Sequence, residues 1–168
     1  MRAELEAYAP GDPGEQRLRV ELLRRLDDGA VHRDARPDHL TVSAVVLDAS
    51  RAHVLLVLHA KVGLWLQPGG HLEDGDATLS AGALREAVEE TGVPDLQLVS
   101  TVPVHLERHA APCGAEHHLD VRYLVQARDG ATPTISAESL DVRWFAVDAL
   151  PDQPRVDLRT LVAAALRA

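Results

Sequence analysis

The spacing of apolar residues divides the chain into helix-like and strand-like segments. Near the N-terminus, leucines recur every four residues at Leu18, Leu22 and Leu26, which places them on one face of a helix. Asp12 precedes this run and is a residue type that caps helix N-termini. The pattern therefore predicts that residues 1–39 form a helical arm, which we expect to pack on the main domain rather than to form a second one.

Strand-like patterns follow the arm. Two β-branched apolar runs, residues 40–48 and 53–60, are separated by a short polar stretch and predict neighbouring strands. Their nearly continuous apolar character is typical of strands that are buried on both faces, as in a sheet covered by helices. Further strands are predicted within residues 96–107, 118–127 and 141–147.

A Pro- and Gly-rich segment, expected as a loop, precedes a predicted helix from about Thr78 to Thr91. A last helix is predicted over residues 156–168. The alternation of strands and helices predicts a layered α/β or α+β domain that occupies residues 40–168.

Composition narrows the class of protein. The chain has 168 residues, enough for one domain with a substantial core. Its net charge of −9 argues against nucleic acid or an anionic membrane as the main partner, because both require a cationic surface. No apolar run approaches the length of a membrane span, and the single Cys113 fits a reducing compartment. We therefore expect a cytoplasmic protein.

Three carboxylates crowd one edge of the predicted helix at residues 78–91. Glu86, Glu89 and Glu90 fall within an arc of about 100°, although like charges at this spacing repel and Arg85 can offset only part of that cost. Divalent cations such as Mg²⁺ prefer carboxylate oxygens. The pattern therefore favours a cation site over the simpler alternative, a solvated acidic face. The core is expected on the opposite face, at Ala77, Ala81, Leu84 and Val88.

The residues upstream strengthen this interpretation. Gly69 and Gly70 allow a ligand to approach the backbone closely. Residues 69–93 together resemble the signature of the Nudix hydrolases, the MutT-like family. The matching positions are Gly70, Arg85, Glu86, Glu89, Glu90, Gly92 and the apolar Val93.

The match has two departures. Asp76 stands where the family has its first glutamate, and eight residues rather than seven separate it from Arg85. The resemblance implies that this carboxylate steadies the arginine. We expect Asp76 to reach the guanidinium across a longer loop, with Glu73 and Asp74 as alternatives.

The resemblance implies a Nudix-type α/β/α sandwich around a mixed β-sheet, with the N-terminal helical arm outside it. It also implies Mg²⁺-dependent (or Mn²⁺-dependent) hydrolysis of a diphosphate bond, in a nucleoside di- or triphosphate or in a nucleoside diphosphate linked to another moiety. The expected partner is this small nucleotide-type substrate, with a possible homodimer that the arm can join.

Residue roles are implied by matching position. The metal ligands are Glu86, Glu89, Glu90 and the backbone carbonyl of Gly69. Glu86 and Glu89 also act in catalysis, together with Arg85, which orients a carboxylate. The candidates for the general base are Glu86, which ranks first, and then Glu107, Glu116 and Glu138.

Substrate contacts are expected from Gly70, His71 and Glu116. His71 directly follows the two glycines, which makes it the histidine of most interest among the nine in the chain. His117 and His118 point to opposite faces of a strand, and one of them can bind a transition metal or a phosphate; a structural or solvent-facing role is the simpler interpretation.

Two other functions remain open. A Nudix-fold domain can sense a nucleotide without hydrolysing it, although such proteins generally lose signature glutamates that this chain keeps. An isomerase that acts on a prenyl diphosphate also occurs on this fold and needs a catalytic cysteine. Cys113 lies in a polar loop, and a nucleophilic role for it requires an activating neighbour.

Overall fold

The computed structural model describes residues 1–29, 31–111, 113–137, 139–154 and 156–168. The helices are α1 (Arg2–Ala7), α2 (Pro13–Asp27), α3 (Leu79–Thr91) and α4 (Leu158–Arg167). The strands are β1 (His39–Leu47), β2 (His53–His59), β3 (Trp65–Leu66), β4 (Gly69–His71), β5 (Gln97–Leu98), β6 (His105–Ala110), β7 (His117–Gln126) and β8 (Ser139–Ala146). None of the described helices is long and apolar enough to cross a membrane.

Strand β1 lies at the centre of the sheet. It pairs antiparallel with β2 and parallel with β7, and the order along the main path is β3–β2–β1–β7–β5. The remaining strands β4, β6 and β8 pair with β1, β7 and β2 respectively. Because parallel and antiparallel pairs occur together, the predicted mixed sheet is confirmed.

Helices cover both faces of this sheet. One face of β1, which carries Val42 and Val46, packs against α3, and α2 adds Leu22 on the same side. The opposite face, which carries Val45 and Leu47, packs against α4. All nine residues of β1 are buried, as the nearly continuous apolar run at residues 40–48 predicts. The predicted α/β/α sandwich is thus confirmed, and apolar burial on both faces stabilises it.

The N-terminal arm consists of α1 and α2. The Asp12 carboxylate caps α2, because it accepts hydrogen bonds from the N–H groups two and three residues later, at 2.7 and 3.1 Å. Leu18 and Leu22 are buried against the sheet, as the leucine spacing predicts. Helix α1 was not predicted, since its six residues are too few to show a helical period.

Two segments differ from their predicted form. The Pro- and Gly-rich segment before α3 contains the short strands β3 and β4, and β4 pairs with β1 so that Gly69 lies opposite Ser43. Residues 96–107, expected as one strand, form β5 and the start of β6 with a break between them. Pro103 lies in this break and has no N–H group to donate to a strand ladder.

Candidate active site

Helix α3 carries the three glutamates, and each of its ends is fixed by a cap. The Thr78 hydroxyl accepts a hydrogen bond from the N–H of Ala81 at 3.0 Å. At the other end Gly92 adopts a left-handed conformation with a φ of 64°, which glycine reaches without a steric penalty. These caps fix where the helix begins and ends, and thus which turn holds the glutamates.

The face of α3 that packs on the sheet differs from the expected one. Ala83 and Ala87 have no exposed surface. The four residues expected on the core face are more exposed: Ala77 and Ala81 are exposed, and Leu84 and Val88 are half-buried at the edge of the core. Small side chains at i and i+4 let the helix approach β1 closely, and residues three or four positions apart lie on the same helix face. As a result Glu90, three residues after Ala87, is also directed towards the sheet and is only 7% exposed.

Buried Glu90 binds the backbone of β4. Its carboxylate accepts a hydrogen bond from the N–H of Gly69 at 2.9 Å. A side chain at Gly69 would place a Cβ 2.3 Å from the Cβ of Ser43, so only glycine allows β4 to lie this close to β1. The glycine therefore sets the position of the amide that holds Glu90.

Glu86 lies against the next residue of the same strand. A Cβ at Gly70 would meet all three atoms of the Glu86 carboxylate group at 2.6–2.7 Å. The carboxylate thus occupies the space that a side chain at Gly70 would fill. Two helix glutamates, one turn apart, are therefore gathered at two neighbouring glycines of β4.

Arg85 connects this turn to the preceding loop. Its guanidinium donates two hydrogen bonds to Asp76, at 2.9 and 3.1 Å, and one to the backbone carbonyl of His71 at 3.0 Å. It also contacts the carboxylates of Glu86 at 3.0 Å and Glu89 at 3.1 Å. The expectation that Asp76 reaches the guanidinium across the longer loop is confirmed. Because protein groups occupy all three of its nitrogens, Arg85 is placed to orient carboxylates.

The charge of this turn is strongly negative. Hydrogen bonds from Arg85 lower the pKa of Asp76, so that carboxylate is ionised at neutral pH. Asp76, Glu86 and Glu89 contact the single guanidinium of Arg85, and Glu90 lies on the same helix turn, which gives the five groups a formal charge of −3. Such a concentration of carboxylate oxygens, beside a backbone without Cβ atoms, fits a hard divalent cation such as Mg²⁺ or Mn²⁺.

The other candidate bases have different surroundings. Glu107 forms an ion pair with Arg122 on the neighbouring strand. Glu116 is exposed and lies near Asp38 and His117, and none of the contacts described for it reaches α3. Glu138 lies outside the described residues. Among the described candidates, Glu86 is the one that lies on the glutamate turn itself.

The side chain of His71 points away from the glutamates. Neighbouring residues of a strand point to opposite faces, and Gly70 faces Glu86. The His71 imidazole accordingly lies on the other face of β4, where its Nε2 is 3.0 Å from the Nε2 of His39. Its role as a substrate contact stays a prediction.

Around His71 the structure places a cluster that the sequence did not reveal. We call it the His–Cys cluster, and its members are His39, His71, Cys113 and His118. They come from β1, β4, the β6–β7 loop and β7, and one nitrogen or sulfur atom of each lies within 4.8 Å of those of all the others. The parallel pairing of β1 with β7 sets His39 opposite His118, a register that the sequence alone does not give.

Burial keeps these imidazoles neutral. It lowers the pKa of His71 to about 4 and that of His118 to about 3, and it also lowers the pKa of His39. At neutral pH each ring therefore carries one nitrogen lone pair. The His118 side chain is only 7% exposed, so it does not face solvent, and a structural role for it stays a prediction.

A buried polar network continues along the same face of the sheet. Asp120 accepts hydrogen bonds from Thr41 at 3.0 Å, from Ser43 at 2.8 Å and from Arg122 at 2.8 Å. Burial alone would raise the pKa of Asp120, but the charge of Arg122 and these hydrogen bonds outweigh it and lower the pKa. The alternation of His118, Asp120 and Arg122 along β7 is the sequence signal that could have indicated this polar face.

Comparisons with known proteins agree with this geometry. Residues 37–164 match the family model described as the NUDIX domain, which is most of the chain. The chain therefore belongs to the Nudix family. The resemblance drawn from the sequence is confirmed, and so is the predicted class of enzyme at the level of that family.

Particular relatives are more distant. The chain is 36% identical over 97 residues to the m7GpppN-mRNA hydrolase NUDT17 of Xenopus laevis, a match that covers 51% of this chain and 32% of the relative. The matched segment thus spans about a third of that relative's length.

Solved structures share the fold. A NUDIX-family hydrolase from Clostridium perfringens superposes with a TM-score of 0.62 at 24% identity, and the match covers 76% of this chain and 94% of that one. The NUDIX domain of Shewanella oneidensis NrtR, solved with ADP-ribose, gives a TM-score of 0.57 at 23% identity over 76% and 86% of the two chains. At these identities the likeness shows the fold alone.

Proposed function

We propose that this chain is a Mg²⁺- or Mn²⁺-dependent hydrolase that cleaves a diphosphate bond in a nucleoside di- or triphosphate, or in a nucleoside diphosphate linked to another group. The observation that carries this proposal is the contact of Glu86 and Glu90 with two neighbouring glycines of β4. The names of two similar proteins, a hydrolase of m7GpppN-mRNA and a domain solved with ADP-ribose, support a substrate with a nucleotide phosphoanhydride.

The residues that would hold the ion are Glu86, Glu89 and Glu90, with the backbone carbonyl of Gly69. Glu90 is the best fixed of these, because it is buried and bound to the Gly69 amide. Glu89 has a side chain that is 58% exposed, so a ligand that arrives from solvent can reach its carboxylate. When bound, such an ion supplies positive charge that polarises a phosphate and makes water more acidic.

Arg85 and Asp76 keep this arrangement in place. The bidentate pair between them fixes the guanidinium, which in turn holds one oxygen of Glu86 and one of Glu89. Carboxylates that already have their orientation lose little conformational freedom when a ligand binds. Arg85 therefore acts on the reaction through the glutamates rather than through the substrate.

The reaction is the addition of water across a P–O–P linkage. The oxygen of water forms a bond to one phosphorus, the bridging oxygen leaves with the other, and a base takes the proton of the attacking water. Glu86 is our first choice for this base, since Glu107 is paired with Arg122 and Glu116 has no described contact with α3. Gly70, His71 and Glu116 remain the proposed substrate contacts.

The proposed partner and cellular location of the enzyme rest on the composition of the sequence. A nucleotide-type small molecule is the proposed partner, and the acidic net charge of −9 argues against nucleic acid or a membrane surface. The single cysteine favours a cytoplasmic location. A homodimer through the N-terminal arm stays a prediction.

A hydrolysis screen tests the proposal. The full chain is incubated with Mg²⁺ or Mn²⁺ and a panel of nucleoside triphosphates, nucleotide sugars, dinucleoside polyphosphates, dinucleotide cofactors and a prenyl diphosphate, and products are identified. We expect phosphoanhydride cleavage that requires the metal. It should fall about a hundredfold or more in Glu90→Gln, because a bound ion provides several kcal/mol of transition-state stabilisation.

Glu6→Gln is the matched control, since Glu6 lies on α1 with its side chain 49% exposed and should leave turnover unchanged. Cleavage that needs no divalent cation, or that survives in a folded Glu90→Gln protein, would refute the proposed site. Conversion of the prenyl diphosphate to an isomer, lost in Cys113→Ala, would favour the isomerase instead.

A sensing domain is the second candidate, and the NrtR NUDIX domain solved with ADP-ribose favours keeping it. ADP-ribose that raises the melting temperature of this chain, without any product from the panel, would support sensing. The three glutamates retained on α3 favour hydrolysis.

A further inference from the structure

The His–Cys cluster has the donor set of a transition-metal site. It offers three imidazole nitrogens and one sulfur, which are the ligands that zinc prefers, whereas Mg²⁺ prefers oxygen. A tetrahedral zinc ion, at about 2.0–2.1 Å from nitrogen and about 2.3 Å from sulfur, keeps three nitrogens and one sulfur about 3.3–3.6 Å from one another. The four atoms of the cluster lie within 4.8 Å of one another, so a small movement brings them to that spacing.

The individual contacts support the same geometry. The Nε2 of His39 is 3.0 Å from that of His71 and 3.4 Å from the sulfur of Cys113. The same sulfur is 3.2 Å from the Nε2 of His118. An ordinary hydrogen bond in any of these three pairs requires a proton on one of the two atoms. A metal ion would instead bind the lone pairs of all four converging atoms.

The second nitrogen of His39 shows which lone pair is available. Its Nδ1 lies 3.4 Å from the backbone carbonyl of Ala35, which can only accept a hydrogen bond. With the proton on Nδ1 this contact is a hydrogen bond, and the lone pair of Nε2 is directed into the cluster. A metal-binding histidine is commonly oriented in this way, by a carbonyl that accepts from its other nitrogen.

We propose that the His–Cys cluster binds one zinc ion in a closed, four-coordinate structural site. Four protein ligands fill the coordination sphere of tetrahedral zinc, which is typical of a site that stabilises a fold rather than one that activates water. The site joins strands β1, β4 and β7 and the β6–β7 loop. It goes beyond the hydrolase proposal and does not depend on it.

The zinc site lies on the strand that contacts the helix glutamates, so a bound ion would also stabilise their arrangement. Its ligand His71 follows Gly70 directly, and the backbone carbonyl of His71 accepts a hydrogen bond from Arg85. An ion bound to the His71 ring would fix β4 from one face of the strand. On the other face, the same strand binds Glu90 through Gly69 and contacts Glu86 at Gly70. His71 is then a positioning residue for the glutamate turn, and its proposed contact with substrate comes from its backbone, because the ion occupies its ring.

A second group of donor atoms serves as an internal comparison. Asp38, Glu116 and His117 also lie close together. Asp38 already pairs with Arg25 and with Arg108, which compete with a cation for its oxygens, and Glu116 is exposed. We therefore expect no tight zinc binding there, and His117 provides a neighbouring histidine as a control.

Metal analysis of the tag-free full chain tests the zinc site. After expression with added zinc and removal of loosely bound metal, elemental analysis should find about one zinc per chain. Cobalt in place of zinc should give the strong visible absorption of tetrahedral Co²⁺ and a near-ultraviolet band from sulfur to cobalt. Cys113→Ser should abolish the near-ultraviolet band, and His118→Asn should lose most of the metal.

Control variants make the outcome specific. His117→Asn and the double variant Glu86→Gln/Glu90→Gln should keep the zinc, so failure of this site and failure of the hydrolase proposal are distinguishable. If His118→Asn does not fold, removal of zinc from the wild-type protein should lower its melting temperature, and readdition of zinc should restore it. A wild-type protein that takes up neither zinc nor cobalt, or a folded Cys113→Ser protein that keeps the full cobalt spectrum, overturns the proposal.

Discussion

Among single side chains, Arg85 has the largest effect on the arrangement of the site. One guanidinium holds two helix carboxylates and is itself fixed by Asp76, whose side chain is only 6% exposed. Asp is one methylene shorter than the glutamate that the family places here, and the additional loop residue compensates for that length. The departure from the signature therefore leaves the ion pair intact.

Removal of the charge at Asp76 should destabilise the protein at neutral pH more than at acidic pH. The pKa of Asp76 in the folded protein lies below its ordinary value of 3.8, so its ionised form stabilises the fold above about pH 4. Asp76→Asn should lower the unfolding free energy at pH 7 by about 1–3 kcal/mol. That difference should shrink as the pH falls below about 4 and through the lower folded pKa, as measured by urea unfolding.

Asp74→Asn is the control for this titration, because Asp74 lies in the same loop and is exposed. It should show little loss of unfolding free energy at either pH. A deficit in Asp76→Asn that stays constant between pH 7 and pH 3 would mean that the ion pair with Arg85 contributes little to folding.

Between secondary-structure elements, the decisive contact is that of α3 with β4. Ala83 and Ala87 let the helix lie close to the sheet, and the two glycines of β4 let the strand lie close to the helix. Small residues on both sides thus bring carboxylates and backbone together without a bulky group between them. Close packing of α3 on β4 thus explains why the sequence has glycine at positions 69 and 70.

A methyl group at Gly70 should separate activity from stability. In Gly70→Ala the new Cβ would lie 2.6 Å from the Glu86 carboxylate, which sits at the end of a flexible side chain and can move aside. We expect metal-dependent turnover to fall about tenfold to a hundredfold, as small displacements of catalytic groups do, while the melting temperature changes by only a few degrees.

Gly75→Ala is the matched control for this contact, because a Cβ there meets nothing within 4 Å. It should retain wild-type turnover on whichever substrate the screen identifies. Equal activity of the Gly70→Ala and Gly75→Ala proteins would show that the contact between Gly70 and Glu86 is not needed.

Local features of the elements could be predicted from the sequence, whereas contacts between distant strands could not. The bounds of α3, its caps and the pairing of Asp76 with Arg85 follow from local patterns, because all of them lie within a few turns of chain. The His–Cys cluster could not be predicted in this way. Its members meet only because β1 pairs in parallel with β7 and β4 folds back on β1, and single-residue patterns do not encode that register.

Across the entire fold, the N-terminal arm is connected to the glutamate helix. The Glu4 carboxylate of α1 accepts hydrogen bonds from the first two N–H groups of α3, those of Leu79 at 3.0 Å and Ser80 at 3.1 Å. Glu4 is only 7% exposed. A carboxylate at this position satisfies two unpaired donors and interacts favourably with the positive end of the helix dipole.

Loss of this cap should destabilise the protein. Glu4→Ala removes both hydrogen bonds, which we expect to lower the unfolding free energy by about 1–2 kcal/mol and the melting temperature by about 2–8 °C. Glu6→Ala, two residues away, removes a side chain that is 49% exposed and should have a much smaller effect. Equal shifts for the two variants in a thermal melt would contradict a capping role for Glu4.

The most direct test of the account is the uptake of metal by the glutamate turn. Isothermal titration of the wild-type chain with Mg²⁺ or Mn²⁺, alone and with a methylene-bridged nucleoside diphosphate that cannot be cleaved, should show saturable binding. The Glu86→Gln/Glu90→Gln protein should show none, although its fold and its zinc content are unchanged. Absence of binding to the wild-type chain under both conditions, or identical binding curves for the two proteins, would contradict a metal site on α3.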